Sequence, residues 1–359
     1  MIEVTRDGKP LKNGITAVIA AKNENYMLPF CLKSLIGVVD QIVCIDNGSE
    51  DDTLQIMYDF KKENEDKMEI IVLHMPNALL GDCREAGLSK TKYKWHLRWD
   101  ADMICKTSGT ESMLLLRQKA LKENRPVAYV IPRTNLVGDL RHVSLLYPVV
   151  DPGEPFLMRF GKHICYREFG KFDTVKLPFY HKIVQESKRY YFHCAGLKSD
   201  VNLVHRFFYF SWREAFNNEK RSKKQQQLLS YQKYRKDKEL ELFDTNNQLS
   251  LFYRFQRQCV LHFEQYNVDL YGDYPEILKN ELVNEDERFK VIYKDGKPSI
   301  RIDKKDQKMI EYIPTAEDLK WDPLKFLKDL ISDNEFQNII DYLNSCETNF
   351  KISESKQVG

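Results

Sequence analysis

The sequence predicts an α/β fold with a mostly parallel central sheet and flanking helices. Two observations carry this. Apolar, β-branched runs alternate with helical patterns through the first half of the chain. Three of the runs end in polar residues: Lys22-Asn23-Glu24, Asp46-Asn47-Gly48-Ser49 and Asp100-Ala101-Asp102. Alternating strands and helices imply parallel pairing. In such sheets ligands bind beyond the carboxyl ends of the strands, so all three polar ends belong on one edge.

In order, ITAVIAA (15–21) is a buried strand and 27–39 has helical spacing. QIVCID (41–46) is a second strand. Residues 51–66 form a helix, for which Ser49 and Asp52 resemble a capping box. MEIIVLHM (68–75) is the third strand, 79–91 a helix, KWHLRWD (94–100) the fourth strand and PVAYVIP (126–132) the fifth. In the fourth, Trp95, Leu97 and Trp99 alternate with His96 and Arg98, the period of a half-buried strand. From about 155 to 215 the pattern is irregular and rich in aromatic and basic residues. The last third reads as helices (240–267, 316–345) around a hairpin, FKVIYKDGKPSIRID, with a tight turn at Asp295-Gly296. We expect two domains, 1–215 and 216–359, the second mainly helical and shaping an acceptor site or an oligomer interface.

Composition narrows the function. The chain has 359 residues, 42% hydrophobic and 30% charged, with a formal net charge of +2. That balance lacks the basic excess of a nucleic-acid binder. The polar first fourteen residues predict no signal peptide. No run approaches the ~18 apolar residues of a transmembrane helix. The eight cysteines form no C-x-x-C pair, which suits reduced thiols and a cytoplasmic protein. Residues 219–238 carry eight Lys/Arg against two acids; this is read as a solvated helix face, with peripheral contact to a membrane left open.

Two carboxylates one residue apart at a strand end repel each other unless a cation or donor lies between them. A hard divalent ion, completed by substrate phosphate oxygens, is the usual solution; a turn or helix cap is the plain alternative. Asp46 likewise ends a strand, where it can accept from a base or a sugar hydroxyl, while Gly48 permits the turn that follows.

The segments AVIAAKNENYMLPFCLKSL, QIVCIDNGSEDDT, GDCREAGL and LRWDADM stand in the order and spacing of glycosyltransferase family 2, and roughly residues 14–215 resemble it. LVHRFFYFSWREAFNNEK resembles a later histidine-and-aromatic segment of one branch. The resemblance implies the GT-A fold, a Rossmann-like sheet, and a metal-dependent, inverting transfer from a nucleotide-sugar, a UDP-sugar in most members. It implies that Asp46 recognises the base, that Asn23 and Glu24 line the nucleotide pocket, and that Arg84 lies near base and phosphates. Asp100 would contact ribose and metal, Asp102 would bind Mn²⁺ or Mg²⁺, and His205 would complete the metal shell. His193, in YYFHCAG, reads as a packed side chain.

Two departures stand out. Asn47 replaces the second Asp of the family's D-D-G-S, and Glu85 replaces its Asn after the arginine. The carboxylate that takes the acceptor's proton is expected to be Asp173, then Glu168, with His181 a further choice. The acceptor is a glycan, a lipid-linked glycan or a protein. Two rivals are a sugar-nucleotide nucleotidyltransferase, which would need a glycine-rich loop that AAKNENYM lacks, and a GT-A protein that binds without turnover. Membrane helices and Q-x-x-R-W, found in processive synthases, are absent, as are G-x-G-x-x-G and a P-loop.

Overall fold

The structure is a computed structural model. It describes residues 4–136, 139–144, 149–150, 156–169, 172–194, 197, 263–283, 292–294, 297–303 and 309–312. The chain divides into two compact units, one of Met1–Lys198 with Phe263–Lys290, the other of Ser199–His262 with Val291–Gly359. The expected boundary at 215 lies outside the described residues, as do the helices expected over 240–262 and 316–345.

The first unit runs β1 (Lys12–Ala21), α1 (Leu28–Ser34), β2 (Gln41–Asp46), α2 (Thr53–Asn64), β3 (Glu69–His74), α3 (Leu80–Ser89), β4 (Tyr93–Asp100), β5 (Met103–Cys105), α4 (Met113–Lys122) and β6 (Val127–Val130). It continues with β7 (Arg133–Asn135), β8 (His142–Ser144), β9 (Val149–Val150), β10 (Leu157–Arg159), β11 (Cys165–Phe169), β12 (Phe172–Lys176), β13 (Lys182–Gln185) and β14 (Tyr191–His193). β15 (Phe263–Gln265), α5 (Val268–Tyr271) and α6 (Glu276–Lys279) complete it. β15 is a strand where the end of a helix was expected, and it pairs antiparallel with β8.

The main sheet has seven strands in the order β13-β6-β10-β4-β1-β2-β3. All pairings are parallel except those of β10, which lies antiparallel between β4 and β6. The sheet is thus mostly parallel, as expected. β10 was not anticipated because three residues are too few to show a period.

Both faces are covered, as parallel sheets require. Ala17, Ile19, Ala21, Ile42, Cys44, Trp95, Leu97 and Trp99 meet Leu28, Leu32, Met57, Phe60 and Leu116 of the helices on one side. Val18, Ala20, Val43 and Ile45 meet Cys83 and Leu80 of α3 on the other. Burying each such aliphatic side chain contributes about 2 kcal/mol. Gly87 lets α3 approach this closely, since a Cβ there would collide with Val18 Cγ1.

Three local expectations change. α1 stops at Ser34, short of residue 39, and Gly37 then takes a left-handed φ of +79°. The capping box does not form: Asp52 is the N-cap without a side-chain bond, and the Ser49 hydroxyl accepts from Asn23 N instead (3.0 Å). β4 is buried on both faces, because the β11–β12 hairpin and α3 cover its polar side. There His96 Nε2 meets the Tyr166 hydroxyl at 2.8 Å. Burial, with Arg84, Arg98 and Arg6 adding to it, pushes His96 down to about 3, so the ring is neutral.

A second sheet, β5-β14-β7-β9, stands beyond the carboxyl end of β4. In the second unit the described residues form an antiparallel sheet of β16 (Ile292–Lys294), β17 (Lys297–Asp303) and β18 (Met309–Tyr312). Lys294 opposite Lys297 is the register of the expected hairpin, with Asp295-Gly296 between them.

Candidate functional site

The ends of β1 and β2 are bound into one another. Asn23 takes a left-handed φ of +54°. Its side-chain oxygen accepts from Glu50 N (2.8 Å), and Glu24 N donates to Thr53 Oγ1 (2.7 Å). Lys22 Nζ donates to the carbonyls of Asn47 (2.9 Å) and Gly48 (2.6 Å). Gly48 makes the turn with φ +69°, as its place after the strand predicts.

Asp46 is fully buried at the end of β2. Its carboxylate accepts from Gly48 N (3.0 Å) and Ser49 N (3.2 Å), and Oδ2 lies 2.8 Å from His74 Nδ1. His74 ends β3 with about half of its ring exposed. Sequence reading overlooked His74. Its signal was its place at the end of the strand beside Asp46, with which it is in register.

The end of β4 and the turn leading into β5 hold the paired carboxylates. Asp102 is 5% exposed, while the Asp100 side chain is 34% exposed. Beneath Asp100 lies Arg84, fully buried on α3. Its guanidinium donates to Val18 O (2.9 Å), to Trp99 O (2.5 Å) and to Asp100 Oδ1, and Nε is 3.8 Å from Asp173 Oδ2. One side chain thus ties the ends of β1 and β4 to the hairpin. Burial pushes the Asp100 carboxyl up, but Arg84, Arg98 and His193 more than offset it and hold it at about 2.

The neighbouring Glu85 accounts for the departure from the family pattern. It accepts from Tyr166 N and pairs with Arg6 Nη1 at 2.7 Å, so it pins the hairpin to α3.

The expected proton acceptors fall in different places. Asp173 is buried on β12, 3.3 Å from Arg98 Nη2 as well as near Arg84. Glu168 is its backbone partner on β11. His181 precedes β13 at the opposite edge of the sheet, where Nε2 donates to Arg159 O at 2.9 Å and burial lowers its basicity.

The third component comes from β14. This strand pairs antiparallel with β5, His193 opposite Met103, and Cys194 N donates to Asp102 O at 2.8 Å. His193 Nε2 is therefore 3.5 Å from Asp102 Oδ1. Ligand atoms of Asp100, Asp102 and His193 all lie within 4.8 Å of one another. Asp102 Oδ1 is buried and accepts no hydrogen bond among the described residues. An orphaned carboxylate oxygen beside a second carboxylate and an imidazole fits a divalent cation. His205, expected in this shell, lies outside the described residues.

Residues 16–176 match the family described as glycosyl transferase family 2. Among solved structures, S. aureus TarS 1-349 in complex with UDP-GlcNAc is 14% identical, with 83% of this chain and 99% of that chain covered and a TM-score of 0.36. Glucosyl-3-phosphoglycerate synthase from Mycobacterium tuberculosis, in complex with Mn²⁺, UDP and glucosyl-3-phosphoglycerate, is 17% identical. The match covers 33% of this chain and 43% of that one, at a TM-score of 0.25. A search of curated proteins gives no match. Those structural overlaps are loose and carry no argument; it is the match of residues 16–176 to glycosyl transferase family 2 that points to a glycosyltransferase.

Proposed function

We propose that this glycosyltransferase moves a sugar from a UDP-sugar to an acceptor hydroxyl with inversion, using a divalent cation, Mn²⁺ or Mg²⁺. The observation that carries this reading is the cluster of Asp100, Asp102 and His193 at the strand ends, with a buried Asp102 oxygen that accepts no hydrogen bond. Asp100, Asp102 and His193 would hold the cation. When bound, the cation neutralises the charge that builds on a departing nucleoside diphosphate.

The protein's own residues do the rest. Arg84 fixes Asp100 in its charged form and in one orientation. The Asn23, Glu24 and Gly48 loops form the wall beside it. Asp46 holds that wall through Gly48 N and Ser49 N and orients His74, and we assign base recognition to this pair. Asp173 is engaged by Arg84 and Arg98, so we assign it to holding those two guanidinium groups. Glu168, its register partner, is assigned to the acceptor's proton. The acceptor is a glycan, a lipid-linked glycan or a protein. No helix among the described residues is long and apolar enough to cross a membrane.

The test is release of nucleotide from a panel of nucleotide-sugars, with Mn²⁺ and with EDTA. Slow donor hydrolysis that appears with one UDP-sugar and stops in EDTA is the expected result. Hydrolysis indifferent to EDTA would remove the cation from the mechanism. Metal-dependent binding without turnover, even with acceptors added, would leave a binding protein.

A further inference from the structure

The Asp100–Asp102–His193 cluster is backed by a second layer that the family pattern did not bring into view. His193 on β14 stands opposite Asn135 on the parallel strand β7. Its Nδ1 is 3.2 Å from Asn135 Oδ1. Arg133, two residues earlier and so on the same face of β7, donates from Nε to that same oxygen at 3.2 Å.

These contacts determine the tautomer. A guanidinium only donates, so the amide atom it meets is the acceptor oxygen. His193 Nδ1 meets the same oxygen and therefore carries its proton. In the neutral form that a metal ligand must take, the lone pair is then on Nε2, and Nε2 is the atom 3.5 Å from Asp102 Oδ1. A cation placed between the two makes both contacts favourable.

We propose that Arg133 and Asn135 are positioning residues that present His193 Nε2 as a nitrogen ligand, and that they thereby make this site prefer first-row transition ions to Mg²⁺. The inference rests on the cation reading given above. Its chemistry is that of the donor set. Two carboxylates alone suit hard ions such as Mg²⁺, whereas an imidazole nitrogen adds affinity that rises from Mn²⁺ towards Co²⁺ and contributes little for Mg²⁺. Losing the partner that orients a ligating histidine typically costs ~10–100-fold in metal affinity.

The experiment is calorimetric titration of the full chain with Co²⁺, Mn²⁺ and Mg²⁺, together with the visible spectrum of the Co²⁺ form. The variants are Asn135→Leu, Asn135→Asp, which keeps an acceptor for Nδ1, and His193→Ala. The wild type should bind Co²⁺ at least ~10-fold more tightly than Mg²⁺. Asn135→Leu should weaken Co²⁺ by ~10–100-fold, shift the Co²⁺ bands and leave Mg²⁺ nearly unchanged. Asn135→Asp should restore Co²⁺ binding, and His193→Ala should remove the preference. Equal loss of all three ions in Asn135→Leu, or no loss of Co²⁺, would overturn the proposal. Wild type that binds Co²⁺ and Mg²⁺ alike, while Asp102→Ala binds neither, would sink this inference and spare the cation site. Unchanged binding in Asp102→Ala would sink the cation reading itself.

Discussion

Asp46 ends β2, Asp102 lies in the turn just beyond the end of β4, and both are buried, yet their surroundings are opposite. The Asp46 carboxylate is filled from within: two backbone N–H groups and His74 supply its hydrogen bonds. Asp102 keeps one buried oxygen that accepts none among the described residues, with His193 Nε2 3.5 Å away. Burying a carboxylate oxygen without a hydrogen bond is costly, and a cation is the partner that would offset that cost. The first aspartate holds the turn that follows β2, and the second is the one we assign to the proposed cation.

One substitution made at both positions breaks or sharpens this contrast. Asp102→Asn should abolish metal-dependent nucleotide binding, a loss of more than ~100-fold, measured by calorimetry. In EDTA the same variant should be as stable as the wild type or more stable by about 1 kcal/mol, because a buried carboxylate oxygen that accepts no hydrogen bond has gone. Asp46→Asn should act in the other direction and cost about 2 kcal/mol in urea unfolding, since charge-assisted bonds to Gly48 N, Ser49 N and His74 weaken. Equal destabilisation by the two would erase the distinction.

Asp100 lies between these extremes, exposed at its tip and held by Arg84 below. Its carboxyl sits at about 2 in the folded protein, below the ordinary value of about 3.9. Its contribution to stability is therefore complete above about pH 4 and is lost as pH falls through about 2. The gap in urea midpoint between wild type and Asp100→Asn should close over that window; a gap that does not vary with pH would contradict the Arg84 assignment. The smallest effect is expected at His74. His74→Ala should cost about 1 kcal/mol of stability and weaken the preference for UDP over other nucleoside diphosphates, read by competition binding.

The sequence made much of the scaffold legible. Long apolar runs bounded by turn residues marked the strands β1 to β4 and β6. The parallel-sheet rule placed Asn23, Asp46 and Asp100 on one edge, where they are found. What escaped was whatever depends on pairing between distant segments. His193 reaches Asp102 only because β14 pairs with β5, and in YYFHCAG it looks like a core histidine. The half-polar face of β4 looked solvated because the hairpin that covers it, β11–β12, lies in the stretch without periodicity. Glu85 looked like a lost ligand, although its carboxylate holds that hairpin. Arg84, which the family resemblance puts near base and phosphates, is fully buried beneath Asp100, a burial that its sequence position did not show.

The most direct measurement is the thermal shift given by UDP in Mn²⁺ and in EDTA, for wild type and Asp102→Asn. Ligand that binds the native state raises the melting temperature by mass action. A wild-type shift that disappears both in EDTA and in Asp102→Asn is the predicted result. A UDP shift of the same size in EDTA, or one that survives in Asp102→Asn, would mean that the unfilled carboxylate does not hold the cation on which the whole reading depends.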